Sequence, residues 1–309
     1  MTSIERCNTT INYTCEVNTL EGVAYSSVFL VGFLVNAAAL RAFIAKRASW
    51  TDNHIYMLNL NIADFTLILF LPFRIYDSFY CLERNKLCSF LMFIHFINMY
   101  ASILTTIAIS VQRYLIIRFP LQARSWRRKK QIAFVVCLLI WGLLVITYAI
   151  FPDTLSFKKL RTCYERCKNE PLEKSFLVVL LLLGFFGPLV TIVFCSSRII
   201  CILLKVDEKL AETKSIIAIV TTNMIVFIVC FTPIHVAFLV NYFNILPANW
   251  MERSLTDIPE HVYLLASEWI ATTNCCFDSI SYYFLLKRFY SQISCRSRRI
   301  NPVTLESYL

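Results

Sequence analysis

The sequence predicts an all-α membrane protein, a seven-transmembrane helix bundle with a short amphipathic helix after the seventh span. Three observations predict it. Apolar residues make up 58% of the 309 and charged residues 16%, against roughly 45–50% and about 25% in a soluble domain. Seven apolar runs alternate with brief polar connections, each run long enough for the about 20 residues that cross a bilayer as a helix. Basic residues gather on alternate connections.

Residues 1–22 are polar and contain no apolar core of a cleavable signal peptide, so they are read as an N-terminal segment outside the membrane. The apolar runs follow at about 23 to 45, 55 to 80, 88 to 118, 131 to 151, 175 to 204, 215 to 243 and 261 to 285. Several exceed the minimum span, which tilt accommodates. Residues 23–285 thus form one domain, with no internal repeat, and 286–309 a cytoplasmic end in which LLKRFYSQI reads as a helix lying on the membrane. An outside N-terminus puts nineteen basic and five acidic residues on the inner side, against ten and twelve on the outer. The positive-inside rule and an anionic inner leaflet favour that orientation. The net charge of +10 therefore calls for no nucleic acid as partner. Sequons at Asn8 and Asn12 fall on the same outer side, where glycosylation occurs.

The arithmetic leaves no stretch for a soluble catalytic domain, so no enzyme is expected. Five glycines and the lack of repeats argue against a channel or carrier built from broken helices. Cys7, Cys15, Cys81, Cys88, Cys163 and Cys167 fall on the oxidising side, where disulfides persist, and allow fifteen pairings. Cys163-x-x-x-Cys167 has no nearby His, so no metal site is expected. Cys295, beside Arg296, is a candidate for palmitoylation or a plain reduced thiol.

An ionisable group inside a span is costly and by default functional. Asp64 in span two and Asp278 in span seven are two such carboxylates, and with Asn36, Ser102 and Asn274 they line a polar cluster. Two carboxylates in one cavity repel, so a bound cation such as Na+ or a shared proton is expected. The bland alternative is an uncharged Asp that ties helices together. Neither Asp sits in a DTG-like loop, which disfavours an aspartyl protease.

Asn36 in LVNAAAL, Asp64 in NLNIADF, Cys88, Gln112-Arg113-Tyr114 followed by Pro120, Trp141, Pro188, FIVCFTP from Phe227 to Pro233, and Asp278 to Tyr282 occur in order over residues 20 to 290. This series resembles the markers of the rhodopsin-like (class A) G protein-coupled receptors. The resemblance implies a receptor whose ligand shifts an inactive to active equilibrium, triggering nucleotide exchange on a heterotrimeric G protein, with arrestin as a further partner. No Lys precedes Lys287 in span seven, so a retinal Schiff base has no seat there and the ligand is diffusible. The resemblance also implies a disulfide from Cys88 to Cys163 or Cys167; spacing does not choose between them. It gives Arg113 the role of reaching between spans three and six when the G protein docks, beside an apolar knob at Pro120-Leu121. Tyr114, Phe227, Pro233 and Tyr282 are its other activation markers.

NCC-x-D-x-x-x-YY from Asn274, Pro233-x-His235 and FCSSR from Phe194 narrow the resemblance to receptors associated with lysophosphatidylinositol and with kynurenic or lysophosphatidic acid. The lysophosphatidylinositol type has Lys where Arg74 stands and Met where Met99 stands; the kynurenic-acid type has Arg at the latter place. The ligand so implied is an anionic lysophospholipid. A small carboxylic acid such as kynurenic acid, and from another class a seven-helix anion carrier, are the alternatives. Arg74 is the candidate anchor, because a guanidinium grips phosphate bidentately. Its bland rival is an internal ion pair with Glu268, and both hold if an anionic ligand displaces the carboxylate. His95, Met99, Tyr100, Phe231 and His235 are read as lining the pocket below. The final Ser307-Tyr308-Leu309 has the hydroxyl and apolar terminus by which a peptide adds a strand to a PDZ domain.

Gln112 departs from the family, which has Asp before the Arg; a neutral amide restrains Arg113 less. Gln112→Asp is accordingly expected to lower ligand-free nucleotide exchange in receptor-bearing membranes, and an equal or higher basal rate rejects that restraint.

Overall fold

The computed structural model describes residues 17–45, 52–83, 85–120, 130–152, 160, 162–164, 172–206, 211–243 and 259–296, with the side chains of the last helix described through Ser281. Among these residues seven long helices are present: α1 (Thr19–Ala45), α2 (Asp52–Tyr80), α3 (Lys86–Arg118), α4 (Lys130–Ile150), α5 in three stretches (Lys174–Leu181, Leu182–Phe186 and Gly187–Val206), α6 (Ala211–Phe243) and α7 (Pro259–Arg296). The helical backbone of α7 runs on through the stretch expected to lie on the membrane. Asn8, Asn12, Leu121, Cys167 and Ser307 to Leu309 lie outside the described residues, as do the side chains of Tyr282 and Cys295.

Helices α1 to α6 are long and apolar enough to cross a membrane. They turn apolar side chains outward: Phe134, Val135, Leu138, Leu139 and Ile146 of α4 are all exposed. Lipid tails are as apolar as leucine, so such a face is at no disadvantage there. Helix α7 is the polar one, and it turns Ser267, Thr272, Asn274 and Ser279 inward to near-complete burial. The bundle closes as α1 packs on α2 and α7, α2 on α3 and α4, α3 on α4 and α5, and α6 on α5 and α7. Helix α3 is innermost, with every residue from Phe96 to Ile103 buried, a pattern that needs neighbours on all sides.

Local chemistry explains the ends and irregularities. Asn85 caps α3, its Oδ1 accepting the N–H groups of Leu87 and Cys88. At the same end of the bundle Cys88 is disulfide-bonded to Cys163, with Cα atoms 5.0 Å apart, which resolves the choice between Cys163 and Cys167. Cys81 is also held in a disulfide, and its φ of 46° turns the chain off the end of α2. Asp77 secures that turn from both sides: Oδ1 accepts the Leu82 N–H at 2.7 Å and Oδ2 the Thr162 hydroxyl at 3.3 Å. The cysteines Cys137, Cys195, Cys201, Cys230, Cys275 and Cys276, expected within the spans, are free thiols there.

The middle stretch of α5 is a π-helical turn, closed by the Gly187 N–H on the Leu182 carbonyl. Both glycines are required. A Cβ at Gly187 would stand 2.9 Å from that carbonyl, and one at Gly184 would run into the buried ring of Tyr100. The wider turn thus lets α5 approach α3 closely halfway along the bundle.

Candidate functional site

Arg74 occupies the centre of the disulfide end of the bundle. It is 2% exposed and is the one buried Lys or Arg among the described residues. Its Nε and Nη2 each lie 3.2 Å from Glu21 Oε1, and Nη2 lies 2.6 Å from Glu268 Oε2. Three helices are therefore tied at one cation: α1 through Glu21, α2 through Arg74 and α7 through Glu268. Two rings add cation–π contacts, Tyr25 at 4.2 Å and Tyr164 at 5.0 Å from the guanidinium carbon. Tyr164 arrives because its neighbour Cys163 is bonded to Cys88. Burial pushes the Tyr164 hydroxyl up from the ordinary phenol value, with Arg74 pulling it back. The Tyr25 hydroxyl is buried beside Thr272 of α7. His95 of α3 is half-buried, within range of the Arg74 charge.

The Arg74–Glu268 pair read from the sequence is thus present, and Arg74 also holds a second carboxylate that the sequence reading left among the outer acids. Glu21 lies in the first turn of α1, which begins at Thr19, one turn before the apolar run. The available signal was Asn18-x-x-Glu21, a cap followed three residues later by Glu.

One level deeper is the carboxylate cluster. The Ser102 hydroxyl donates to Asp278 Oδ2 at 2.9 Å, and the Asn274 amide to the same oxygen and to Ser102 Oγ at 2.7 Å each. Asp64 Oδ1 accepts from Asn98 at 3.1 Å, while Oδ2 is buried with no hydrogen-bond partner. The two carboxylates are near enough to repel. Beside them Asn36 forms a separate joint, accepting the Ser279 hydroxyl at 2.7 Å and the Asn61 amide at 3.0 Å while donating to the Cys275 carbonyl at 3.0 Å. Asn36 was expected within the Asp cluster and instead links α1, α2 and α7 next to it. Asn98 is the member the sequence reading missed.

Met99, Tyr100, Phe231 and His235, read as pocket lining, are packed in the main apolar core, all buried to within 9% exposure. His235 Nδ1 lies 2.7 Å from the Phe231 carbonyl, which can only accept, so Nδ1 carries the proton. Nε2 is then the acceptor for the Tyr100 hydroxyl at 3.3 Å. Phe185, from the π turn, stacks on the imidazole at 4.8 Å. These groups satisfy one another and bind α3, α5 and α6 together, a level below Arg74. Under Asp278 a cavity opens between α3, α6 and α7, lined by Thr106, Asn223, Phe227 and Ser281 among others.

At the opposite end Gln112 and Arg113 are half-buried, and Gln112 Oε1 has no hydrogen-bond partner among the described residues. Tyr114 meets Phe194 of α5 edge-on at 5.7 Å. Phe227 packs on Phe231 at 5.4 Å, Pro233 stands within the continuous α6, and Pro120 is exposed. Trp141 of α4 donates to Asn59 at 2.8 Å, and Asn59 to Thr105 at 3.3 Å, joining α2, α3 and α4.

Comparison with known proteins matches this geometry to a family. A sequence profile described as 7 transmembrane receptor (rhodopsin family) matches residues 35–282. G-protein coupled receptor 35 of Mus musculus is 32% identical over 288 residues, covering 92% of this chain and 90% of the relative. Lysophosphatidic acid receptor 6 of Gallus gallus is 30% identical, covering 86% and 90%. G-protein coupled receptor 55 of Homo sapiens is 29% identical, covering 94% and 91%.

The Arg74 cluster makes a stability prediction. Arg74→Met strands two carboxylates and should cost on the order of 3 kcal/mol, the low end for breaking a buried pair, because Glu21 and Glu268 keep 13% and 17% exposure. The triple variant Glu21→Gln, Arg74→Met, Glu268→Gln should recover most of that. Thermal melting of detergent-solubilised protein reads both, and an unchanged melting point for Arg74→Met refutes the stabilising role.

Proposed function

Because the chain belongs to the rhodopsin family of seven-transmembrane receptors, a multi-pass membrane receptor coupled to a heterotrimeric G protein, we propose that its ligand is an anionic lysophospholipid held by Arg74. The single observation behind this is the placement of the one buried cation of the described bundle. A guanidinium there offers charge and planar donors to a phosphate. The similarity to lysophosphatidic acid receptors supports the same ligand class. In this reading the N-terminus faces outward, so the Arg74 end meets ligand and the Arg113 end meets the G protein and arrestin, with a PDZ protein at the terminal residues.

Ligand acts by binding the active arrangement better than the resting one. The level between Arg74 and Arg113 carries that difference, because the Tyr100–His235 bond joins α3 to α6 two residues beyond Pro233. For α6 to move away from α3, that bond and the Phe185 stack must open. At the inner end the half-buried Arg113 is then uncovered to the G protein.

The Asp64, Ser102, Asn274 and Asp278 oxygens suit a bound Na+. They are hard donors, and Asp64 Oδ2 is buried without a hydrogen-bond partner. A cation there would offset the repulsion between the two carboxylates and favour the packed arrangement of α2, α3 and α7.

Two measurements test these readings. Nucleotide exchange titrated with lysophospholipids and small carboxylic acids, normalised to surface receptor, should show a lysophospholipid response that Arg74→Ala weakens by about 2–5 kcal/mol; unchanged potency removes the anchor. Replacing sodium by choline should lower the melting point of wild-type receptor and leave Asp64→Asn unmoved, and equal sodium dependence in both would exclude the cation site.

A further inference from the structure

We propose that Glu21 is the receptor's own resident anion at Arg74, the group that the ligand's anionic head displaces, while Glu268 stays and orients the guanidinium. Glu21 then sets agonist affinity and makes α1 a participant in ligand recognition. This rests on the reading of Arg74 as the ligand anchor.

The first ground is the imbalance at Arg74. Two carboxylates share one cation: Glu21 takes Nε and Nη2 on one oxygen, both at 3.2 Å, and Glu268 takes Nη2 alone at 2.6 Å. One negative charge is in excess, so releasing one carboxylate costs less than breaking a one-to-one pair. The distances identify which. Charge-assisted N–H···O bonds run about 2.7–2.9 Å; Glu268 is at 2.6 Å and Glu21 at 3.2 Å from Nη2.

The second ground is that Glu21 has an alternative seat. Asn18 caps α1: its carbonyl accepts the Gly22 N–H at 3.0 Å, and its Oδ1 accepts the Glu21 N–H at 3.1 Å. Its Nδ2 reaches back to Glu21 Oε2 at 3.4 Å. Asn18 at the cap and Glu21 three residues on have the spacing of a capping box, with the cap's side-chain amide in place of its backbone N–H as the carboxylate's donor. A carboxylate in the first turn also faces the positive end of the helix. Glu21 therefore lends Oε1 to Arg74 while Oε2 stays with the cap, and on displacement the whole carboxylate settles onto the cap. Glu268, inside α7, has no helix end beside it.

The third ground is mechanical. The Asn18 N–H donates to the Ser78 carbonyl at 3.0 Å, and the Ser78 hydroxyl to the Arg74 carbonyl at 3.0 Å. The cap that receives Glu21 is thus bonded to the same turn of α2 that carries Arg74, so exchange of one anion for another is felt where α1 meets α2.

The experiment uses full-length receptor in membranes with G protein, titrated with 1-oleoyl lysophosphatidic acid and with lysophosphatidylinositol. Glu21→Gln, and Glu21→Asp as a variant that keeps the cap charge but is too short to hold Arg74, should each raise potency about tenfold. Glu268→Gln should lower it. Potency unchanged or lowered in both Glu21 variants overturns the proposal. If Arg74→Ala loses the response while both Glu21 variants match wild type, only the displacement fails. If Arg74→Ala responds like wild type, or wild type answers neither lipid, the anchor reading and this proposal fall together.

Discussion

A polar atom placed between apolar helices in a bilayer has no water to bond to, so it must find its partner on a neighbouring helix. Nearly every cross-link in this bundle follows from that rule. Asn36 joins α1, α2 and α7; Asn59 joins α2, α3 and α4; Ser102 and Asn274 join α3 to α7; Tyr100 and His235 join α3 to α6. The apolar surfaces facing lipid hold the chain in the membrane without choosing which helix touches which. That choice rests on a few amides, hydroxyls and charges, each with one place to be satisfied.

The polar groups also form three levels. Arg74 and its two carboxylates sit at the disulfide end, the Asp64 and Asp278 oxygens at mid-depth beside the Tyr100–His235 bond, and Arg113 at the far end. Helix α3 passes through all of them, buried without a break from Phe96 to Ile103, and α2 and α7 each contribute to the first two. A charge that moves at one level therefore bears on helices that already carry the next.

Features carried by single residues against a contrasting background were legible in the sequence. Seven spans stand out because polar connections interrupt apolar runs, and Arg74, Glu268, Asp64 and Asp278 stand out as charges inside those runs. Boundary features were not. Glu21 lies where the polar N-terminal segment gives way to α1, so it reads as one more outer acid until the helix is seen to start at Thr19. Tyr164 gains meaning only once Cys163, and not Cys167, is known to bond Cys88. Tyr100 and His235 could be named, yet that they satisfy one another across α3 and α6 depends on a depth within the bundle that spacing along one helix does not fix. Asn98 was hidden for the same reason, since its depth in the bundle is not fixed by spacing along α3.

The π turn of α5 has a consequence for how this helix can vary. It holds one residue more than an α-helical turn, so the stretch before it is rotated by about 100° relative to a helix without it. That rotation is what sets Phe176 against Phe96 of α3 and Phe151 beyond α4, at 5.8 and 5.2 Å. Loss of a single residue between 182 and 186 would leave the composition almost unchanged and still give a helix of spanning length. It would, however, turn Phe176 toward the lipid and swing an outward-facing neighbour into the bundle. Homologous chains that differ here by one residue therefore present different side chains to the interior while aligning almost perfectly by sequence on either side.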